Sequence, residues 1–92
     1  MNTLLEDFKL RMHIFHSSED KNLSDILDEA QSYINDKTGL TADDPRAKRL
    51  ILERGRYNYN DSLEFFEDNF LSELIGLSLT TLKGDDNSGE ET

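Results

Sequence analysis

Apolar residues return along this chain at three- and four-residue intervals, a spacing that predicts helices rather than strands. Leu4, Leu5, Phe8 and Met12 share one stripe with Asp7, Lys9 and Arg11 outside it, behind Thr3 and Glu6 at capping-box spacing. A short first helix is expected there. It gives out around His13 to Ser18, where HIFHSS has no period, and Ile14 or Phe15 is expected to plug the core from that loop. Ser17 or Ser18 is placed to cap the next helix, with Glu19 and Asp20 in its first turn, where negative charge is favoured.

The second helix carries the clearest pattern, because Leu23, Ile26, Leu27, Ala30, Tyr33 and Ile34 recur without interruption from Asp25, Asp28, Glu29 or Asn35. Lys37 falls in its last turn, Gly39 suits a left-handed cap, and Leu40 is expected to anchor the connection TGLTADDP onto the core. Asp43 or Asp44 should cap the third helix, with Pro45 at its first position.

From Pro45 to Leu77 the chain reads PRAKRLILERGRYNYNDSLEFFEDNFLSELIGL. Leu50, Ile51, Leu52, Tyr57, Tyr59 and Leu63 spread around the third helix instead of forming one stripe, so it should touch more than one partner. Only mild breakers separate it from the fourth helix, and a bend is expected between Asn60 and Glu67. Phe66, Phe70, Leu74 and Leu77 make the inward stripe of a fourth helix ending near Gly76 to Leu79. The remainder, KGDDNSGEET from Lys83 on, has no apolar residue and four acids. The fold expected is all-α, a compact bundle of about four helices with a long central third helix (residues 1–82) and a flexible acidic tail (residues 83–92).

Composition narrows the function. With 92 residues and a formal charge of -10, the chain is one small domain of marginal lone stability, and phosphate neutralisation is not its way of working. It has no cysteine, no apolar run of signal-peptide length and none near 18 residues, so disulfides, secretion and membrane spanning are not expected.

Candidate chemistry is thin. His13 and His16 with Asp20 have a spacing that could hold a metal on a helix, but chance loop histidines explain them better. Glu64, Glu67 and Asp68 could form a hard-cation cluster, yet no second ligand set accompanies them, and a solvated acidic face is the default. No nucleophilic triad and no glycine-rich phosphate loop exists, so neither an enzyme nor a cofactor is expected.

Charge polarity is the stronger feature. Arg46, Lys48, Arg49, Arg54 and Arg56 precede RYNYND, and Asp61, Glu64, Glu67, Asp68 and Glu73 follow it. With Tyr57 and Tyr59 the basic run has the make-up of a nucleic-acid patch, against which the net charge weighs. Alternatively it is an exposed face with internal pairs such as Glu53 to Arg49 or Arg56. The reading preferred is that the basic stretch of one copy meets the acidic stretch of the next, a head-to-tail contact that closes into rings or runs on as filaments. Gly55, costly inside a helix, either marks close approach of another backbone or is a tolerated blemish.

LEDFKLRMHI, then SSEDKNLSDILDEAQSYINDKTG, and later RLILERGRYNYNDSLEFFEDNFLSEL resemble the small head-tail connector proteins (head-completion adaptors) of tailed bacteriophages and prophages. The resemblance covers about residues 4–79. It implies a helical protein that forms a ring, typically twelvefold, under the portal vertex, extending the DNA channel and presenting a docking surface for a stopper or tail-completion protein. It places the chain in the virion at the head-tail interface, assembled in the bacterial host cytoplasm. DNA would pass without specific binding. Carried onto this sequence, the protomer contact draws on Arg46, Arg49, Arg54, Arg56, Tyr57, Tyr59, Asp61, Glu64, Phe65, Glu67 and Phe70. Leu40, Asp43, Asp44, Lys83, Asp85 and Asp86 become candidates for portal or tail contacts. A phage-encoded acidic protein that mimics DNA and inhibits a basic host protein is the alternative, and a small regulatory or nucleic-acid module is a weaker one.

Overall fold

A computed structural model describes residues 3–87, with side chains described for residues 4–80. Four helices follow one another: α1 (Thr3–Met12), α2 (Asp20–Thr38), α3 (Pro45–Tyr59) and, after a 3-10 turn at Leu63–Phe65, α4 (Phe66–Asn87). No strand occurs among the described residues, so the all-α bundle expected from periodicity is the fold.

Helix α2 is the centre of the bundle, lying against α3 along most of its length, against α4 next, and against α1 at its start. Its stripe Leu23, Ile26, Leu27, Ala30 and Ile34 is buried as the pattern predicts. Phe8 from α1, Leu50 and Ile51 from α3, and Phe66 from α4 complete the core, all essentially inaccessible to water. Full burial of side chains this size stabilises by about 1.5 to 3 kcal/mol each before chain entropy is counted. Ile14 is the residue that plugs the core from the first loop, while Phe15 stays 77% exposed.

Three helices stop on a left-handed residue: His13 (φ 60°), Gly39 (φ 77°) and Asp61 (φ 58°). At the first and third, the next amide donates five residues back, Ile14 to the Lys9 carbonyl at 2.9 Å and Ser62 to the Tyr57 carbonyl at 2.8 Å. These bonds satisfy carbonyls that a helix end leaves without a partner. Asp44 caps α3, its carboxylate accepting from the Arg46 amide, with Pro45 beginning the helix as expected.

Several expectations are corrected. The third helix is not the long one: Asp61 halts α3 after 15 residues, while α2 has 19 and α4 has 22. Neither serine caps α2; Glu19 holds the cap position without a side-chain bond, and the Ser18 hydroxyl lies 2.8 Å from His16 Nδ1 instead. The fourth helix passes Gly76 and Leu79 and continues to Asn87, because nothing there forms a left-handed stop. Side chains of Thr3, Lys83, Asp85 and Asp86 lie outside the described residues, as do residues 88–92, so the capping box and most of the tail do too.

Candidate assembly surfaces

The basic run of α3 pairs with acids of its own protomer, although only Arg54 among its cations is buried. Lys48 Nζ lies 2.6 Å from Asp7 of α1, Arg46 pairs with the capping Asp44 at 2.9 Å, and Arg49 pairs with Glu73 of α4. Arg56 pairs with Glu53 at 2.8 Å, and the same Glu53 accepts from Arg11 of α1. With Lys9, Lys21, Lys37 and Arg54, every lysine and arginine in residues 4–80 has a carboxylate partner. The internal pairing that the sequence left as one option is therefore what the fold adopts, across helices more than along one.

Arg54 is the most constrained of these cations. It is 8% exposed, donates to both carboxylate oxygens of Glu29 at 3.0 and 2.7 Å, and stacks 3.6 Å over the Tyr33 ring with Phe66 beyond. A guanidinium suits such a site because its planar fork meets a carboxylate and its face meets a ring. Arg54, a protomer-contact candidate, thus has its charge enclosed and matched within its own protomer.

The tyrosines of RYNYND are also engaged. Tyr57 packs edge-on against Phe66 and Phe70 and accepts a hydrogen bond from Asn69, and Tyr59 donates to Glu19 at 3.0 Å, tying the end of α3 to the start of α2. Rings held this way are not open stacking platforms for bases. Tyr33 donates to Glu67 at 2.8 Å, and burial, followed by that hydrogen bond and then the acceptor's charge, pushes its pKa up to about 12. Glu67 also faces Lys37 at 3.9 Å, so this candidate contact residue is shared between two groups of α2.

Gly55 has a reason inside the protomer. A Cβ there would sit 3.0 and 3.3 Å from the Phe8 ring and 3.4 Å from Leu27, so the glycine admits an aromatic side chain of α1, not a neighbour's backbone. The head-to-tail reading loses that support.

What remains open is apolar or acidic: Asp61, Glu64 and Asp68 are exposed without a cation among the described residues. Phe65, a contact candidate, is exposed at the bend beside Asp61 and Glu64, and Phe70 is half-buried against the ring cluster. Leu10 and Phe15 are exposed around a groove of about 330 Å³ beside the Lys9–Asp20 pair. On α4, Leu71, Ile75 and Leu79 are 48, 51 and 54% exposed at successive four-residue steps, on the side away from the buried Phe66, Leu74 and Leu77. Sequence reasoning named the inward stripe of this helix and assigned Leu71, Ile75 and Leu79 to no surface. Their mutual i, i+4, i+8 spacing, out of phase with the inward stripe, was the available signal. In the second loop, Leu40 packs on the core, Asp44 is occupied as a cap, and Asp43 is exposed.

Among the described residues no three His, Asp or Glu side chains gather; Asp20 is paired with Lys9, and His16 lies against Ser18. Among the same residues no helix is long and apolar enough to cross a membrane.

The helical bundle thus matches the cations of residues 4–80 internally and leaves apolar side chains exposed beside the first loop, at the bend and along α4. A family model of the phage gp6-like head-tail connector protein matches residues 2–79, and the chain belongs to that family. The family is one of structural phage connectors. No curated protein and no solved structure matches the chain significantly.

Proposed function

We propose that copies of this chain form a ring beneath the portal that extends the DNA channel and joins the filled head to the tail. Membership of the connector family carries the proposal. Its neighbours are then the portal on one side and a stopper or tail-completion protein on the other, in a virion assembled in the host cytoplasm. Three features of the molecule support this reading. A domain of this size gains stability from partners. Leu10, Phe15, Phe65 and the outer residues of α4 offer apolar surface for them. The surplus charge is acidic, with Asp61, Glu64 and Asp68 exposed and free of cations among the described residues, which suits a wall past which DNA must move without adhering.

The protomer contact proposed here differs in its driving force from simple charge matching. Because the α3 cations are already paired, copies carrying -10 each repel, and apolar burial around Phe65 must outweigh that repulsion. Native mass spectrometry of the purified protein, alone and with the portal of the same genome, tests the proposal across salt concentrations. A ring, or a complex appearing only with portal, is expected, and added salt should strengthen contacts between copies. A monomer that ignores the portal at every salt concentration and instead binds a basic host protein would overturn the connector reading.

A further inference from the structure

Over its described side chains, helix α4 is apolar on two opposite sides, and among the described residues only one of these is covered. Leu71, Ile75 and Leu79 form an outward strip about 12 Å long at 1.5 Å per residue, and they border a shallow groove of about 200 Å³ whose other wall carries Lys37 and Glu67. A strip of three aliphatic side chains is too small to hold two proteins together unaided, since stable interfaces bury about 800 Å² on each partner. Its occupant must also meet the charges at its rim.

Those charges are acidic. Glu67 is exposed on the groove wall, Asp68 lies one turn before Leu71 on α4 with no cation among the described residues, and Glu64 is exposed in the 3-10 turn that leads into the helix. Lys37, the only cation lining the groove, is held to Glu67 at 3.9 Å. A second copy of this chain is poorly suited to such a rim, because every lysine and arginine in residues 4–80 already has a carboxylate partner. We infer that the outer face of α4 docks an amphipathic helix of another protein, one whose apolar face is flanked by lysine or arginine. Leu71, Ile75 and Leu79 supply the apolar contact, and Glu64, Glu67 and Asp68 choose the partner by charge. The inference deepens the connector reading and rests on it for the existence of a partner in the particle.

The test uses the full chain and a labelled helical peptide with leucines at i, i+4 and i+8 flanked by lysines, followed by fluorescence anisotropy. Ile75→Ser should weaken binding about tenfold, the loss of one well-buried aliphatic contact. Asp68→Asn should weaken it about threefold, an effect that salt removes. A peptide of the same charge with its leucines scrambled, or one flanked by glutamates, should bind far more weakly. Equal binding of the scrambled peptide means cation adsorption on an acidic protein and overturns the inference, as does equal binding of the glutamate-flanked one. Sedimentation showing that the chain pairs with itself through this strip, and that Ile75→Ser abolishes the pairing, would overturn it in favour of a second copy. Ring formation, read on the same samples by native mass spectrometry, separates the failures: a ring without peptide binding removes this inference alone, and a monomer with peptide binding removes the ring alone.

Discussion

Helices α3 and α4 are both apolar on more than one side, yet one is filled by its own chain and the other is not. Around α3, Phe8 packs at Gly55, Leu50 and Ile51 join the core, Tyr57 meets Phe66, and the cations close salt bridges to α1, α2 and α4. Around α4, Phe66, Leu74 and Leu77 are buried, while Leu71, Ile75 and Leu79 stand in solvent. A many-sided apolar pattern thus has two meanings: a helix wrapped by its neighbours, or a helix at the edge with one face left for another molecule. Position in the bundle decides between them. Helix α3 packs against both α1 and α2 and reaches α4 by the Arg49–Glu73 pair, whereas α4 packs chiefly against α2.

The contrast is sharpened first where the loss should be greatest. Phe66 is the most completely buried of the described α4 side chains, set between Tyr33 of α2, Tyr57 of α3 and Phe70. Phe66→Ala should cost about 3 to 5 kcal/mol in denaturant unfolding, a large share of the stability of so small a domain. A loss near zero would mean that α4 is not anchored on the bundle at all. Arg54→Lys should follow at about 1 to 2 kcal/mol, since a lysine keeps the charge but loses the paired bonds to Glu29 and the flat stack on Tyr33.

Gly55→Ala sets two effects against each other. Crowding of the Phe8 ring costs about 1 to 3 kcal/mol, and the better helix former returns about 1. The expected outcome is a modest fall in melting temperature; a rise would show that Phe8 moves aside easily and that the α1 contact with α3 is loose. Smallest is the alkaline response of Tyr33, whose raised pKa of about 12 means that the folded state favours the neutral phenol. That contribution is complete below the ordinary value of 10 and is lost as pH rises through about 12. Glu67→Gln should bring the phenol's titration, followed by ultraviolet absorbance, back toward the ordinary value.

How much of this was legible follows from where the signals are local. The α2 stripe, the Gly39 stop, the Asp44 cap and the bend after Asn60 are properties of short windows, and all of them appear in the fold. Two other helix ends were less plain because His13 and Asp61 take left-handed angles that residue type does not demand. The candidate surface was harder for a different reason. Arg49 and Glu73, or Lys48 and Asp7, lie far apart along the chain, so the sequence shows the charges without showing that they meet within one protomer. The same distance hid the role of Gly55, because Phe8 arrives from another helix. Leu71, Ile75 and Leu79 are periodic, but periodicity alone does not say which of two apolar faces a bundle covers.

Paired substitutions on the two helices test the central claim most directly. Arg49→Ala on α3 and Ile75→Ser on α4 would be compared with the parent for thermal stability and for complex formation with the portal and tail-completion proteins of the same genome. The account predicts that Ile75→Ser leaves stability within about 0.5 kcal/mol, as for an exposed position, yet loses assembly with one of those proteins, while Arg49→Ala still assembles. Assembly that survives Ile75→Ser and fails with Arg49→Ala would return the working surface to the basic face of α3 and contradict the account.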